Sequence, residues 1–267
     1  NLLKETAYKV HPYRHPIVGY HDLLASSTRD MLFSYYKKYY VPSNMWVIVV
    51  GDVKTDDVLA TVKKHFDAAP RTPAPDQKVP AEPPQEGRRL ASAHGDIQQT
   101  YLRMAWHAPG IEDPDNYVMD VITTMMGDGR SSRLHKILVE DERLASEVDS
   151  SYYTSGDPSL FIISAQLPQG NLRKFIERAT QLIEALKGDP DKAEKATLIS
   201  REEFEKVKQQ LVASTQFDRE TAESQAMAYG HYATLGKLDE ADLYIDKIRS
   251  VTLEDIQRTA RNVFQDK

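Results

Sequence analysis

Six prolines crowd the stretch from residue 70 to residue 86: Pro70, Pro73, Pro75, Pro80, Pro83 and Pro84. Each fixes φ near −65° and removes a backbone donor, so neither a helix nor an interior strand can run through the stretch. The chain must therefore fold as a short unit, 1–69, a linker, 70–86, and a longer unit, 87–267.

Residue chemistry narrows the function classes. The 267 residues carry a formal charge of −6, which argues against a nucleic-acid surface built from clustered Lys and Arg. Cysteine is absent, which excludes disulfides, thiolate metal sites and cysteine nucleophiles. No apolar run approaches the roughly 20 residues of a membrane-spanning helix; the longest, Met45 to Val50, has the length of a buried strand.

Local patterns predict the elements. In the first unit, Ser27 or Thr28 caps a helix carrying Leu32, Tyr36, Tyr39 and Tyr40, which Val41-Pro42 stops. A strand is expected over Met45–Val50 and a helix over Thr55–Phe66. The second unit reads as strands at Arg88–Ala93 and Gln98–His107, a helix from about Asp115 to Met126, a turn at Gly127-Asp128-Gly129 and a helix from Ser131 to Glu140. A hairpin, 145–154 with 159–167, follows. Helices are then expected over Leu172–Lys187, from about Ser200 to Leu235, over Glu240–Arg249 and over Thr252–Phe264. Strands and helices without strict alternation imply α+β, with an antiparallel sheet covered by helices. Aligning Thr28 with Thr252 pairs Asp30 with Glu254, Leu32 with Ile256, Tyr39 with Val263 and Tyr40 with Phe264, an internal repeat of a capped amphipathic helix.

Few residues offer chemistry. His11 and His15 sit four apart, but Pro12 and Pro16 oppose the helix that would bring them together, and Arg14 stands where a general-base Glu would be. The expectation is a proline-locked loop packing its rings. His21, His65, His94, His107, His135 and His231 show no ligand spacing. Gly127-Asp128-Gly129-Arg130-Ser131-Ser132-Arg133-Leu134 lacks the Lys-Ser/Thr ending of a phosphate loop and contains no G-x-S-x-G elbow. On local grounds it is a tight helix-to-helix connection, with Ser131 or Ser132 capping the second helix. The acidic group Glu140, Asp141, Glu142 and Glu147 reads as surface charge. No catalytic residue and no metal ligand is assigned.

Three blocks resemble the pitrilysin/insulinase-type zinc metallopeptidases: HPY-x-x-P-I-x-G followed by YY-x-P-x-N-M and VVGDV in residues 11–53; the Gly-x-Gly-x-x-S-R-L block at 127–134; and the order of elements after it. The resemblance implies a duplicated two-domain half of a clamshell that closes around a peptide. Residues 1–69 would be the C-terminal part of the first, zinc-type domain, and 87–267 the second, non-metal-binding domain. The zinc ligands would lie upstream of Asn1, so the resemblance implies no cofactor in this chain and zinc in a full-length parent.

The 127–133 loop would face the chamber or a partner, with Gly127, Gly129 and Arg130 as the substrate-binding candidates. An Arg and a Tyr that the family uses near zinc are replaced here by Val139 and Ser146, while Arg143 and Tyr152 are out of register. In two-subunit members the zinc-bearing protomer lacks that pair, so a dimer with a homologous subunit is expected. A peptide or unfolded-protein substrate and a bacterial periplasmic location follow from the same resemblance. The alternative is a non-catalytic scaffold or assembly subunit of the same fold; an unrelated peptide-binding α+β module is a third.

Overall fold

The computed structural model describes residues 2–70, 72, 73, 75, 78–191, 193, 194 and 197–266. In chain order the elements are α1 (Leu2–Ala7), a 3-10 turn (Pro12–Arg14), α2 (His21–Ser26), α3 (Arg29–Tyr39), a second 3-10 turn (Pro42–Asn44) and α4 (Thr55–Phe66). Then come β1 (Thr100–Ala108), α5 (Asp115–Gly127), a π-helical segment (His135–Asp141), β2 (Glu147–Tyr152), β3 (Ser159–Leu167), α6 (Leu172–Leu186), α7 (Arg201–Asp218), α8 (Ala222–Thr234), α9 (Glu240–Ser250) and α10 (Leu253–Val263). They form two compact units, one of 1–83 with 218–241, the other of 84–217 with 242–267.

In the second unit an antiparallel sheet, ordered β1-β3-β2, is covered by helices, the α+β arrangement expected. Its central strand alternates cleanly. Phe161, Ile163, Ala165 and Leu167 are buried, whereas Ile162, Ser164 and Gln166 point to the other face. On β1, Leu102, Met104 and Trp106 pack against the same core while Tyr101 and Arg103 are exposed. Two-residue alternation thus gives the sheet one apolar and one open face. Helix α5 is apolar nearly all round and correspondingly buried, with Val121, Ile122, Met125 and Met126 sealed. Helix α10 adds Ile256, Ala260 and its cap Phe264, which meets Trp106 and Phe161 edge-on.

Four expectations need correction. Met45–Val50 and Arg88–Ala93 are not strands; neither segment pairs with another among the described residues. Trp46, Val47 and Val49 are exposed, so the apolar run has the composition of a buried strand without the ladder that would bury it. The helix expected from Ser200 to Leu235 is two helices, because Thr221 starts a new one by accepting from the Ser224 amide at 3.1 Å. The helix expected over Ser131–Glu140 is π-helical from His135.

The internal repeat has a geometric counterpart. Helices α3 and α10 are both 11 residues long, and both are capped by threonine, Thr28 accepting from Met31 and Thr252 from Asp255. They also end alike: Tyr40 has φ −90°, ψ 66° and Phe264 φ −89°, ψ 63°. What differs is burial, with Tyr40 58% exposed and Phe264 2% exposed.

A half-buried carboxylate lies at the edge of the second unit's core. Asp120 on α5 accepts a 2.8 Å hydrogen bond from the Tyr244 hydroxyl of α9. Burial pushes its carboxyl up to about 7, against the opposing pull of that hydroxyl. The folded pKa thus lies above the unfolded value, so the folded state holds the extra proton, and stability falls as pH rises from about 4 to about 7. Asp120→Asn keeps the acceptor and removes the charge. At pH 8 it is expected to be more stable than the parent by about 2 kcal/mol, half of the ~4 kcal/mol of the full shift because the residue is only half-buried. The gain disappears near pH 4, as thermal unfolding at the two pH values will check.

Candidate functional site

The 127–134 block connects α5 to the π-helical segment. Gly127 is buried where α5 meets β2: a Cβ there would run into the Ser150 amide nitrogen and lie 2.8 Å from the Asp149 carbonyl carbon. The Ser150 hydroxyl donates to the Thr123 carbonyl at 2.9 Å, tying the strand's side chain to the helix backbone. Gly129 has φ +76°, the left-handed conformation that glycine adopts without cost, and its surroundings are open. Arg130 is exposed and donates to Glu140 at 3.0 Å; the His135 ring lies 3.7 Å from the same carboxylate.

The three substrate-binding candidates therefore do not share one surface. Gly127 is inside, while Gly129 and Arg130 reach solvent. Neither serine caps the next helix through its side chain. Ser132 is buried, and it is its carbonyl that accepts from the Lys136 amide at 2.9 Å.

Arg133 is the block's best-anchored side chain. It is buried, donates to both oxygens of Glu203 on α7 at 2.6 Å each, and donates to the Thr197 carbonyl at 2.5 Å. The planar guanidinium fits the carboxylate as a fork. Beyond it, the Leu138 carbonyl accepts from both the Leu144 and Ala145 amides, and Arg143 takes φ +53° to close the turn.

The His11 loop is a packing feature. His11 is buried, its Nδ1 accepts from the Tyr13 amide at 3.1 Å, and its ring lies 4.2 Å from that of Tyr13 and 5.7 Å from that of Tyr8. His15 instead meets the Tyr20 hydroxyl at 3.0 Å. The two rings are held by different partners, and among the described residues no three His, Asp or Glu side chains come together as a metal site. The described residues therefore offer zinc no ligand set.

The sequence reading missed the open face of the sheet. Strand register sets Arg103, Ser164 and Asp149 in one row and Tyr101, Gln166 and Glu147 in the next. Gln166 donates to Glu147 across the strands. Partial burial raises the Asp149 carboxyl, while the Ser164 hydroxyl and Arg103 hold it down and Glu147 adds to the rise. Alternation on β1 and β3 carried this signal, but the rows appear only once the strands are paired.

These features meet a family match over residues 26–211, to the peptidase M16 inactive domain. The chain belongs to this family. It is 28% identical over 268 residues to the zinc protease PqqE of Helicobacter pylori, covering 98% of this chain and 58% of that protein. The fold superposes on a protease from Helicobacter pylori with a TM-score of 0.88 at 27% identity, over 98% of this chain and 63% of the other. It also superposes on an M16 inactive domain from Pseudomonas fluorescens with a TM-score of 0.87 at 18% identity, over 99% of this chain and 61% of the other. The chain thus spans about three fifths of the length of the relatives it matches. It is a non-catalytic peptidase-like domain of the M16 type, as the pitrilysin/insulinase resemblance implied.

Proposed function

We propose that this M16 domain forms part of the wall of a peptide-enclosing chamber in a zinc endopeptidase subunit, with the metal held outside these residues and a homologous subunit completing the enclosure. The open sheet face carries the reading. Helices seal its apolar side, while Arg103, Ser164, Gln166, Glu147 and Asp149 present donors and acceptors on the other. Such a surface suits a solvated peptide backbone better than an apolar protein interface. Residues 1–69 would then complete a first, zinc-type domain of the parent, and their exposed apolar run would find its partner strands there. We place the parent in the bacterial periplasm, which fractionation tests.

The reading is tested on the longest natural form of the protein, with its neighbouring homologue. Bound zinc and chelator-sensitive peptide cleavage are expected. A protein that assembles with its homologue, holds no zinc and cleaves nothing would instead be a scaffold subunit of the same fold. In the active protein, Arg103→Ala is expected to raise KM for a peptide about fivefold with little change in kcat, because it removes a binding contact distant from the bond broken. A fall in kcat at constant KM would remove the sheet face from substrate binding.

A further inference from the structure

Near the start of the chain three consecutive backbone amides point at one carboxylate. The Lys9 amide donates to one oxygen of Glu82 at 2.7 Å, and the Val10 and His11 amides donate to the other at 2.8 and 2.9 Å. Successive N–H groups aimed at one point form an anion-binding concavity. Groups other than Glu82 shape it. The Arg14 guanidinium donates to the Lys9 carbonyl at 2.7 Å, the His11 ring is pinned by the Tyr13 amide, and the buried Tyr8 packs beneath.

Glu82 arrives from more than seventy residues away, on the proline-rich linker, flanked by Ala81 and Pro83. Proline backbone supplies few hydrogen bonds of its own, so such a segment is positioned by its side chains. Pro80 and Pro83 also restrict the backbone on either side of the carboxylate, which lowers the entropy lost when it docks.

We propose that residues 9–11 form a carboxylate receptor whose built-in ligand, Glu82, straps the linker onto the N-terminal loop. The strap fixes the point from which the chain leaves the first unit. Releasing it frees the linker and opens a site for a small free carboxylate.

Limited trypsin digestion of the whole protein, read by mass spectrometry at Lys9–Val10 and Lys78–Val79, tests this. The first bond contains one of the three donor amides; the second lies on the linker. Charge-assisted hydrogen bonds are strong enough that Glu82→Ala should speed cleavage at both bonds about tenfold or more. Glu82→Gln, equal in size but with one acceptor oxygen, should fall between. Sodium formate should restore protection to Glu82→Ala at Lys9–Val10 in a saturable way, leave Lys78–Val79 as fast as without it because formate carries no link to the linker, and leave the parent unchanged, with sodium chloride at equal ionic strength as control. Should Glu82→Ala lose its helical circular dichroism, the Glu82→Gln comparison decides. Parental cleavage rates in the variants, or formate protecting parent and variant equally, would overturn the proposal.

Discussion

Gly127→Ala is expected to destabilise the second unit by about 2–4 kcal/mol, the upper range for overpacking a core. Ordinarily alanine gains up to ~1 kcal/mol over glycine in a helix, through a smaller loss of backbone entropy. Here the new methyl would meet the Ser150 amide and the Asp149 carbonyl carbon, which are strand backbone and cannot swing aside as a side chain can. Either α5 withdraws from β2, loosening Met125 and Met126, or the strand bends away from its pairing with β3. Gly230 supplies the control. It lies within α8, and a Cβ there would meet nothing within 4 Å. Gly230→Ala is therefore expected to stabilise by about 0.5–1 kcal/mol. Denaturant unfolding followed by fluorescence in a Trp46→Phe background reads Gly127→Ala through the second unit, because Trp106, packed against Phe161 and Phe264, is then the remaining tryptophan. Gly230 belongs to the first unit, so its variant is followed by helical circular dichroism.

What could be read from the sequence follows from the range of the interactions involved. Helices α3 and α10 were legible because Thr28 and Thr252 cap them locally and their apolar residues recur within single turns. The hairpin of β2 and β3 was legible from alternation around Gly156-Asp157-Pro158. Met45–Val50 was misread because a strand is completed by pairing, and no partner lies among the described residues. The break at Thr221 carries no proline or glycine; the 3.6-residue pattern runs on through it, and the capping hydroxyl alone restarts the helix. The π-helical segment was beyond pattern reading, since its widened turn lies in i→i+5 bonding, as where the Glu142 amide donates to the Ile137 carbonyl at 2.9 Å, which apolar spacing does not encode.

The candidate site divides in the same way. The glycine-rich block stood out by composition, but composition does not say which glycine serves packing. Gly127 is held by contact with β2, and Gly129 by its positive φ. The open sheet face was invisible residue by residue, because Arg103 and Asp149 become neighbours of Ser164 only through the register of two ladders.

Arg133→Ala is expected to cost about 3–5 kcal/mol, the range for breaking a buried ion pair by removing one partner. The loss comes less from the attraction removed than from what is left behind. Glu203, one third exposed, keeps some water, but the Thr197 carbonyl is buried and would lose its 2.5 Å donor. Arg133→Lys should recover only part of the loss, because an ammonium cannot reach two carboxylate oxygens and a carbonyl in the plane a guanidinium offers. The decisive comparison is the double variant Arg133→Met with Glu203→Met. If the pair acts mainly by avoiding an uncompensated charge, the double variant will be more stable than Arg133→Ala, although it has lost both charges. If the fork itself stabilises the fold, the double variant will be at least as unstable. Urea unfolding of the three variants against the parent separates these outcomes. The first places Arg133, with Gly127, among the residues that make the 127–134 block a packing device, leaving Gly129 and Arg130 as its exposed part.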